Sequence, residues 1–398
     1  MRRDPTSARA AAAVLMATLP LLLAGSGPAL ADSDPVELPV ARAELRANES
    51  CAAASERPAE REPWTIRALG LSRAWQQSQG AGVTVAVVDT GVGTSIPALA
   101  GRVETVGSAD DDCVGHGSFA AGLIAAARTK GVGPAGVAPA ARILAVRGTE
   151  ERGTTTPDLL ADGIRKAADQ GAKVIYVARA LPTGREELTT AVAYATRRDA
   201  LVVAPFAPDT VPQDKAEQGK EEKGKAAPLW YWPAAVPDVL SVMDYGAGGD
   251  RPAGAPMALS ADLAAPGIGV VGNGPKGSGH YLGSGSSFAA AHVAGAAALV
   301  RARHPELSAA EVTRRLLGTA YPASPPRLDV YGALTAVLTD AAGTVPKQPP
   351  AGLPESPSPA PRHRAVLVAS AAGGLVLLVA VAAVVIPLGR ARRWRPAD

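Results

Sequence analysis

The sequence predicts an α/β fold, a doubly wound parallel sheet with helices on both faces, plus one C-terminal transmembrane helix. Three observations predict it. Short apolar, β-branched runs without in–out alternation recur along the body of the chain, as strands buried on both faces require. Segments with apolar residues at helical spacing separate those runs, as parallel strands need crossover connections. Residues 365–388 form a single run of 24 residues without a charge. At 1.5 Å rise per residue such a run crosses a hydrocarbon core of about 30 Å.

Residues 83–88 are a β-branched run that ends at Asp89. Residues 117–127 read as a helix of small residues, and 142–146 as a strand. Over 158–169, Leu159, Leu160, Ile164 and Ala167 share a helical face, and the strand 173–177 comes next. A helix at 187–196, a strand at 200–204 and a strand at 239–242 continue the pattern. Ser308 with Glu311 makes a capping box opening a helix that runs to Leu317. Ligands of such sheets sit beyond the carboxyl ends of the strands, which is where Asp89 falls. Residues 213–225 are dense in charge and lack apolar side chains apart from Ala216, so they read as a solvated surface loop.

The two ends carry topology signals. Arg2 and Arg3 precede an apolar stretch, and Ala29-Leu30-Ala31 supplies small residues at a cleavage-like position, so residues 1–31 read as a secretory signal peptide. Residues 32–62 are then an N-terminal extension, 63–342 the folded domain, 343–364 a Pro-rich linker, 365–388 the transmembrane helix and 389–398 a basic tail. Arg390, Arg392, Arg393 and Arg395 outnumber Arg362 and Arg364 across the span, which favours a cytoplasmic C-terminus and an extracytoplasmic domain. The formal net charge of +3 resides in these termini; residues 10–389 together carry −2. A nucleic-acid-binding surface therefore finds no support. Cys51 and Cys113 are the only cysteines, and in an oxidising compartment two thiols in one chain usually pair; two free thiols or an intermolecular bridge are the alternatives. Two soft ligands are too few for a structural metal site, and no cofactor is called for.

Three short stretches carry chemistry. Val87-Val88-Asp89-Thr90-Gly91 ends a strand in an acid and a turn glycine. Gly115-His116-Gly117-Ser118 opens a helix with an imidazole. Residues 283–295, reading GSGSSFAAAHVAG, place Ser286 and Ser287 at the start of a helix of small residues. Each alone has a structural reading: a turn, a helix start, a tightly packed helix. Acyl transfer by serine needs a base to take the hydroxyl proton and an acid to hold the base's tautomer. Asp89, His116 and Ser287 supply those types in the order Asp, His, Ser.

With these motifs the sequence resembles the subtilisin-like serine proteases, and most closely the mycosins, the membrane-anchored members tied to type VII secretion. Besides the three motifs, Pro63-Trp64, Leu69-Gly70, the segment GAGVTVAVVD ending at Asp89, GVAPAARIL at residues 136–144 and Ala265-Pro266-Gly267 carry the likeness, over residues 63–337. The resemblance implies a peptidase domain that hydrolyses protein or peptide substrates. Asp89 would be the orienting acid, His116 the general base and acid, and Ser287 the nucleophile, with Ser286 as the alternative. It implies that His292 is structural, and that a Cys51–Cys113 disulfide clamps the N-terminal extension.

Three departures stand out. The family's Asn, which donates to the developing oxyanion after the strand at 200–204, is missing: the chain reads Val203-Ala204-Pro205-Phe206-Ala207-Pro208-Asp209, and an ionised Asp209 repels an oxyanion. The chain's only asparagines are Asn48 and Asn273, and only Asn273 lies between strand and serine motif. The family's Ser-Leu-Gly substrate strand becomes Ala178-Arg179-Ala180, and Ala291 stands in place of Pro. The alternative reading is a weakened or inactive subtilase fold that serves as a structural or binding part of a secretion complex. An aspartic protease is a third reading of Asp89-Thr90-Gly91 that leaves His116 and Ser287 unexplained.

Overall fold

The computed structural model describes residues 37–128, 133–209, 230–338 and 360–391. The expected signal peptide and charged loop lie outside these, as do residues 343–359 of the expected linker and 392–398 of the expected tail.

Strands β1 (Thr84–Asp89), β2 (Val103–Val106), β3 (Arg142–Arg147), β4 (Val174–Val177), β5 (Leu201–Pro205), β6 (Val239–Tyr245) and β7 (Leu263–Pro266) form one sheet in the order β2-β3-β1-β4-β5-β6-β7. Every pairing in it is parallel. Strand alternation sorts side chains between two apolar layers. Val85, Val87, Val174, Tyr176 and Val203 enter one, with helices α3 (His116–Ala125) and α6 (Ser286–Arg303). Ala86, Val88, Ile175, Val177 and Val202 enter the other, with α4 (Pro157–Asp169) and α5 (Arg185–Thr196). The predicted doubly wound sheet is what forms, because every central strand is apolar toward both layers.

Helix α6 shows why small residues matter here. Its side chains are buried from Ser286 to Arg301, so it runs through the core and not over it. A Cβ on Gly295 would lie 2.7 Å from Val137 Cβ, so glycine sets the closeness of that packing. The predicted capping box is present: Ser308 accepts from the Glu311 N–H and opens α7 (Ala309–Gly318).

Sequence patterning missed several elements. The edge strand β2 has two exposed residues, Glu104 and Thr105, and so lacks an apolar run. The antiparallel hairpin β8 (Ile268–Asn273) and β9 (His280–Ser284) is rich in glycine. Helices α1 (Trp64–Ala68), α2 (Leu71–Ala74) and α8 (Val330–Thr335) span at most six residues, too short for periodicity.

From Val40 to Ala59 the N-terminal extension is pinned at several points. Val40 bridges Leu282 of β9, the Leu45 N–H donates to Arg152 O, and the Ala59 N–H donates to His280 Nδ1. The Arg179 guanidinium donates to Ala43 O and, at 2.7 Å, to Gly153 O. Arg179 thus ties the extension to the loop after β3. Cys51 and Cys113 are joined, as expected, by a disulfide across a sequence separation of 62.

A second unit holds α9 (Ala360–Ala391), with an apolar segment Ala365–Arg390 long enough to cross a membrane. The helix takes in the last residues of the expected linker and the first of the expected tail as well as the uncharged run.

Closing a loop of this length by a disulfide is worth about 4 kcal/mol in the chain-entropy picture. Replacing both Cys51 and Cys113 by Ala is expected to lower the unfolding free energy by about 2–4 kcal/mol, read from the urea midpoint. Limited proteolysis of the same variant should cut the extension before the sheet.

Candidate functional site

The site lies at the carboxyl ends of β1 and β4 and the N-termini of α3 and α6. Asp89 is the last residue of β1, and its Oδ1 accepts the Thr90 N–H at 2.7 Å. His116 is the first residue of α3. The helix can start this close to β1 only because residue 117 is glycine: a Cβ there would meet Gly91 O at 2.1 Å and Asp89 Cβ at 3.0 Å. Gly115 before it has φ +88°, the left-handed conformation that glycine adopts without cost.

These elements bring three predicted residues into one chain of contacts. His116 Nδ1 lies 2.7 Å from Asp89 Oδ2, and His116 Nε2 lies 3.0 Å from Ser287 Oγ. All three side chains are closed to solvent. The Phe288 ring stacks on the imidazole at 4.9 Å between centroids and packs on Phe119 as well. Ser286, the alternative nucleophile, points elsewhere: its Oγ donates to Asp244 Oδ1 at 2.6 Å, and Asp244 is paired with Arg251 at 2.9 Å. His292 donates from Nδ1 to Pro266 O at 2.9 Å; burial pushes its pKa down to about 4, so it stays neutral and structural.

Two further groups complete the surroundings of His116. Asp112 is buried and accepts from Thr90 Oγ1 at 2.7 Å, from the Gly115 N–H at 2.7 Å and from the Ser118 N–H at 2.8 Å. It ties the turn after β1 to the first turn of α3 and so fixes the spacing of Asp89 and His116. Burial, then the charge of Asp89, holds its pKa above the usual carboxylate value against these bonds. Tyr176 on β4 has a buried hydroxyl with no hydrogen-bond partner among the described residues. Burial first, then the carboxylates of Asp89 and Asp209, drives its ionisation far above the ordinary range, so it is a permanent donor beside Ser287. Neither stands out in the sequence. Asp112 carries the weak signal of an acid shortly before a Gly-His-Gly helix start; Tyr176 reads as one more apolar strand residue.

The expected oxyanion side is altered as the sequence implied, and more directly. Asn273 ends β8 with its side chain against α3: a Cβ on Gly122 would sit 2.9 Å from its Oδ1. The group that meets the Ser287 N–H is Asp209, whose Oδ1 accepts from it at 2.9 Å. Asp209 Oδ2 accepts from Ser287 Oγ at 2.6 Å and lies 3.5 Å from His116 Nε2. Burial works against the imidazolium, but Asp89 and Asp209 on either side overcome it and raise the His116 pKa to about 9. Asp209 correspondingly sits below the usual carboxylate value, its burial outweighed by His116 and by the two Ser287 bonds.

The donor atoms of Cys51, Cys113 and Glu151 lie close together, but both sulfurs are committed to the disulfide and offer no thiolate.

A serine with an imidazole and a carboxylate behind it, on a parallel sheet, is equipped for acyl transfer. The chain is 33% identical over 392 residues to Mycosin-3 of Mycobacterium tuberculosis (strain ATCC 25618 / H37Rv), covering 82% of this chain and 83% of that protein. Its structure resembles the MycP3 protease from the type VII (ESX-3) secretion system, with 30% identity and a TM-score of 0.58 over 75% of this chain and 95% of that one. It also resembles a chain of an intact ESX-5 inner membrane complex, with 26% identity and a TM-score of 0.61 over 86% and 93%. Residues 80–347 match the model of the subtilase family, peptidase S8. With fold, motif order and relatives in agreement, the chain belongs to the subtilase family and is a mycosin-type, subtilisin-like protease.

Proposed function

We propose that the chain is a membrane-anchored serine endopeptidase that cleaves protein or peptide substrates through Asp89, His116 and Ser287. The observation that carries this reading is the contact chain from Asp89 Oδ2 to His116 Nδ1 at 2.7 Å and from His116 Nε2 to Ser287 Oγ at 3.0 Å. In this mechanism neutral His116 accepts the Ser287 hydroxyl proton at Nε2 as Oγ attacks the scissile carbonyl carbon. Asp89 holds Nδ1–H and stabilises the imidazolium that forms. His116 then returns the proton to the leaving amine, and water releases the acyl group by the same base. The Ser287 N–H at the start of α6 is one donor for the oxyanion, helped by the positive end of the helix dipole.

The domain is extracytoplasmic in this reading, with residues 1–31 removed as a signal peptide, 343–364 as linker, 365–388 as the single span and 389–398 as a cytoplasmic tail. The arginine excess after the span supports that orientation. Similarity to the MycP3 protease of a type VII system and to a chain of the ESX-5 inner membrane complex supports work within such a secretion complex. A second reading, a structural part of the complex without catalysis, is favoured by one observation, the carboxylate against the Ser287 N–H at 2.9 Å.

Full-length protein in detergent, treated with a fluorophosphonate, is expected to gain one adduct on Ser287, located by peptide mass spectrometry. Ser287→Ala should gain none, and His116→Ala should react about 10³-fold or more slowly. Folded wild type and folded Asp209→Ala that both lack a Ser287 adduct after long exposure would remove the protease reading and leave the structural one.

The pH dependence derives from His116. Its value is raised from 6.5 to about 9, so the base is protonated at neutral pH and the labelling rate should climb as pH rises toward 9. Removing one of the two flanking carboxylates by Asp209→Asn should move that rise to lower pH. Because proton binding is tighter in the folded state, this group's contribution to stability is complete below pH 6.5 and gone above about 9.

A further inference from the structure

We infer that Asp209 is an internal latch: its carboxylate occupies the place that the scissile carbonyl group of a substrate must take, and Ser287 stays unreactive until that carboxylate withdraws. The inference rests on the protease reading and adds a regulation of the same site.

The geometry is that of a bound product. After an acyl-enzyme is hydrolysed, the new carboxylate has one oxygen on the oxyanion donor and the other facing the nucleophile and the base. Asp209 reproduces both positions: Oδ1 is 2.9 Å from the Ser287 N, while Oδ2 is 2.6 Å from Ser287 Oγ and 3.5 Å from His116 Nε2. A carbonyl group cannot enter while those atoms are there.

The hydroxyl proton also points the wrong way. Attack requires Oγ–H to face Nε2, but here Oγ donates to Asp209. A protonated His116 donates to Oγ from the other side, so the His116–Ser287 bond has the opposite polarity to that of attack, while Nδ1–H donates to Asp89 in both. A negative charge stands where negative charge must develop, which penalises the transition state more than mere loss of a donor.

The backbone is shaped to receive this group. A Cβ on Gly285, just before α6, would fall 2.2 Å from both Asp209 Cγ and Oδ1. Any larger residue would push the carboxylate out, so the glycine that lets a substrate approach also lets Asp209 seat. The Asp209 side chain keeps 12% of its surface open to solvent while His116 keeps 1%. The latch thus touches solvent, which the base does not.

The test compares fluorophosphonate labelling rates of full-length wild type, Asp209→Ala, Asp209→Asn and Ser287→Ala with Asp209→Ala, each checked for a wild-type melting temperature. A latch predicts that both single variants label faster than wild type, by about tenfold or more for loss of two charge-assisted bonds to the nucleophile. Asn should exceed Ala, since its amide can donate to the oxyanion, and the double variant should not label. Hydrolysis of a casein-derived fluorogenic peptide mixture should rise in the same order. Labelling of Ala at or below the wild-type rate, with Ser287-dependent labelling retained, overturns the latch and leaves the protease standing. If no variant labels although all are folded, the latch falls together with the protease reading.

Discussion

The structure depends on holding an imidazole between carboxylates in a place closed to water. Asp89 and His116 make a 2.7 Å contact with both side chains buried, and an unpaired charge there would cost several kcal/mol. The fold meets that cost by hydrogen bonding every partner. Thr90 supplies a backbone donor to Asp89, and Asp112 fastens the turn after β1 to the start of α3. Gly117 allows the two elements to touch, and Phe288 covers the ring. These are separate sequence features serving one electrostatic requirement, which is why the glycine, the acid and the aromatic are all found within about one turn of His116 or Ser287.

Much of this was legible in the sequence. Apolar runs buried on both faces announced the parallel sheet, and three motifs in the order Asp, His, Ser pointed to a nucleophilic serine. What was not legible shares a cause. Asp112 sits in the run Asp110-Asp111-Asp112, where nothing local says which of three acids turns inward. Tyr176 follows strand periodicity like its neighbours, and only the packing of α6 over β4 brings its hydroxyl to Ser287. The hairpin of β8 and β9 is glycine-rich and pairs by contacts that patterning does not see. Asp209 was legible as a lost donor, but its seat on the Ser287 N–H depends on the depth of Gly285 beneath it.

Arg179 shows how a departure from a family pattern can be structural. Read alone, a long cation in a substrate-binding strand suggests a changed specificity. In the fold its guanidinium holds Ala43 and Gly153 together, so a residue at the cleft secures the extension that the disulfide clamps elsewhere. The extension is thereby fixed at both the α3 side and the β4 side of the domain, a constraint that neither the disulfide nor Arg179 imposes alone.

An oxyanion site is selective for charge, not for its bearer. The Ser287 N–H, at the open end of an 18-residue helix, and the dipole of that helix attract any anion of the right reach. The subtilase pattern that the sequence resembles implies an amide nearby to supplement that site. This chain places a carboxylate there, and the attraction meant for a transition state is satisfied at rest by Asp209. Loss of the amide and filling of the site are thus one electrostatic change with two consequences. A site relieved of Asp209 keeps the Ser287 N–H and the field of its helix, and its reactivity is set by how completely a substrate carbonyl displaces one side chain.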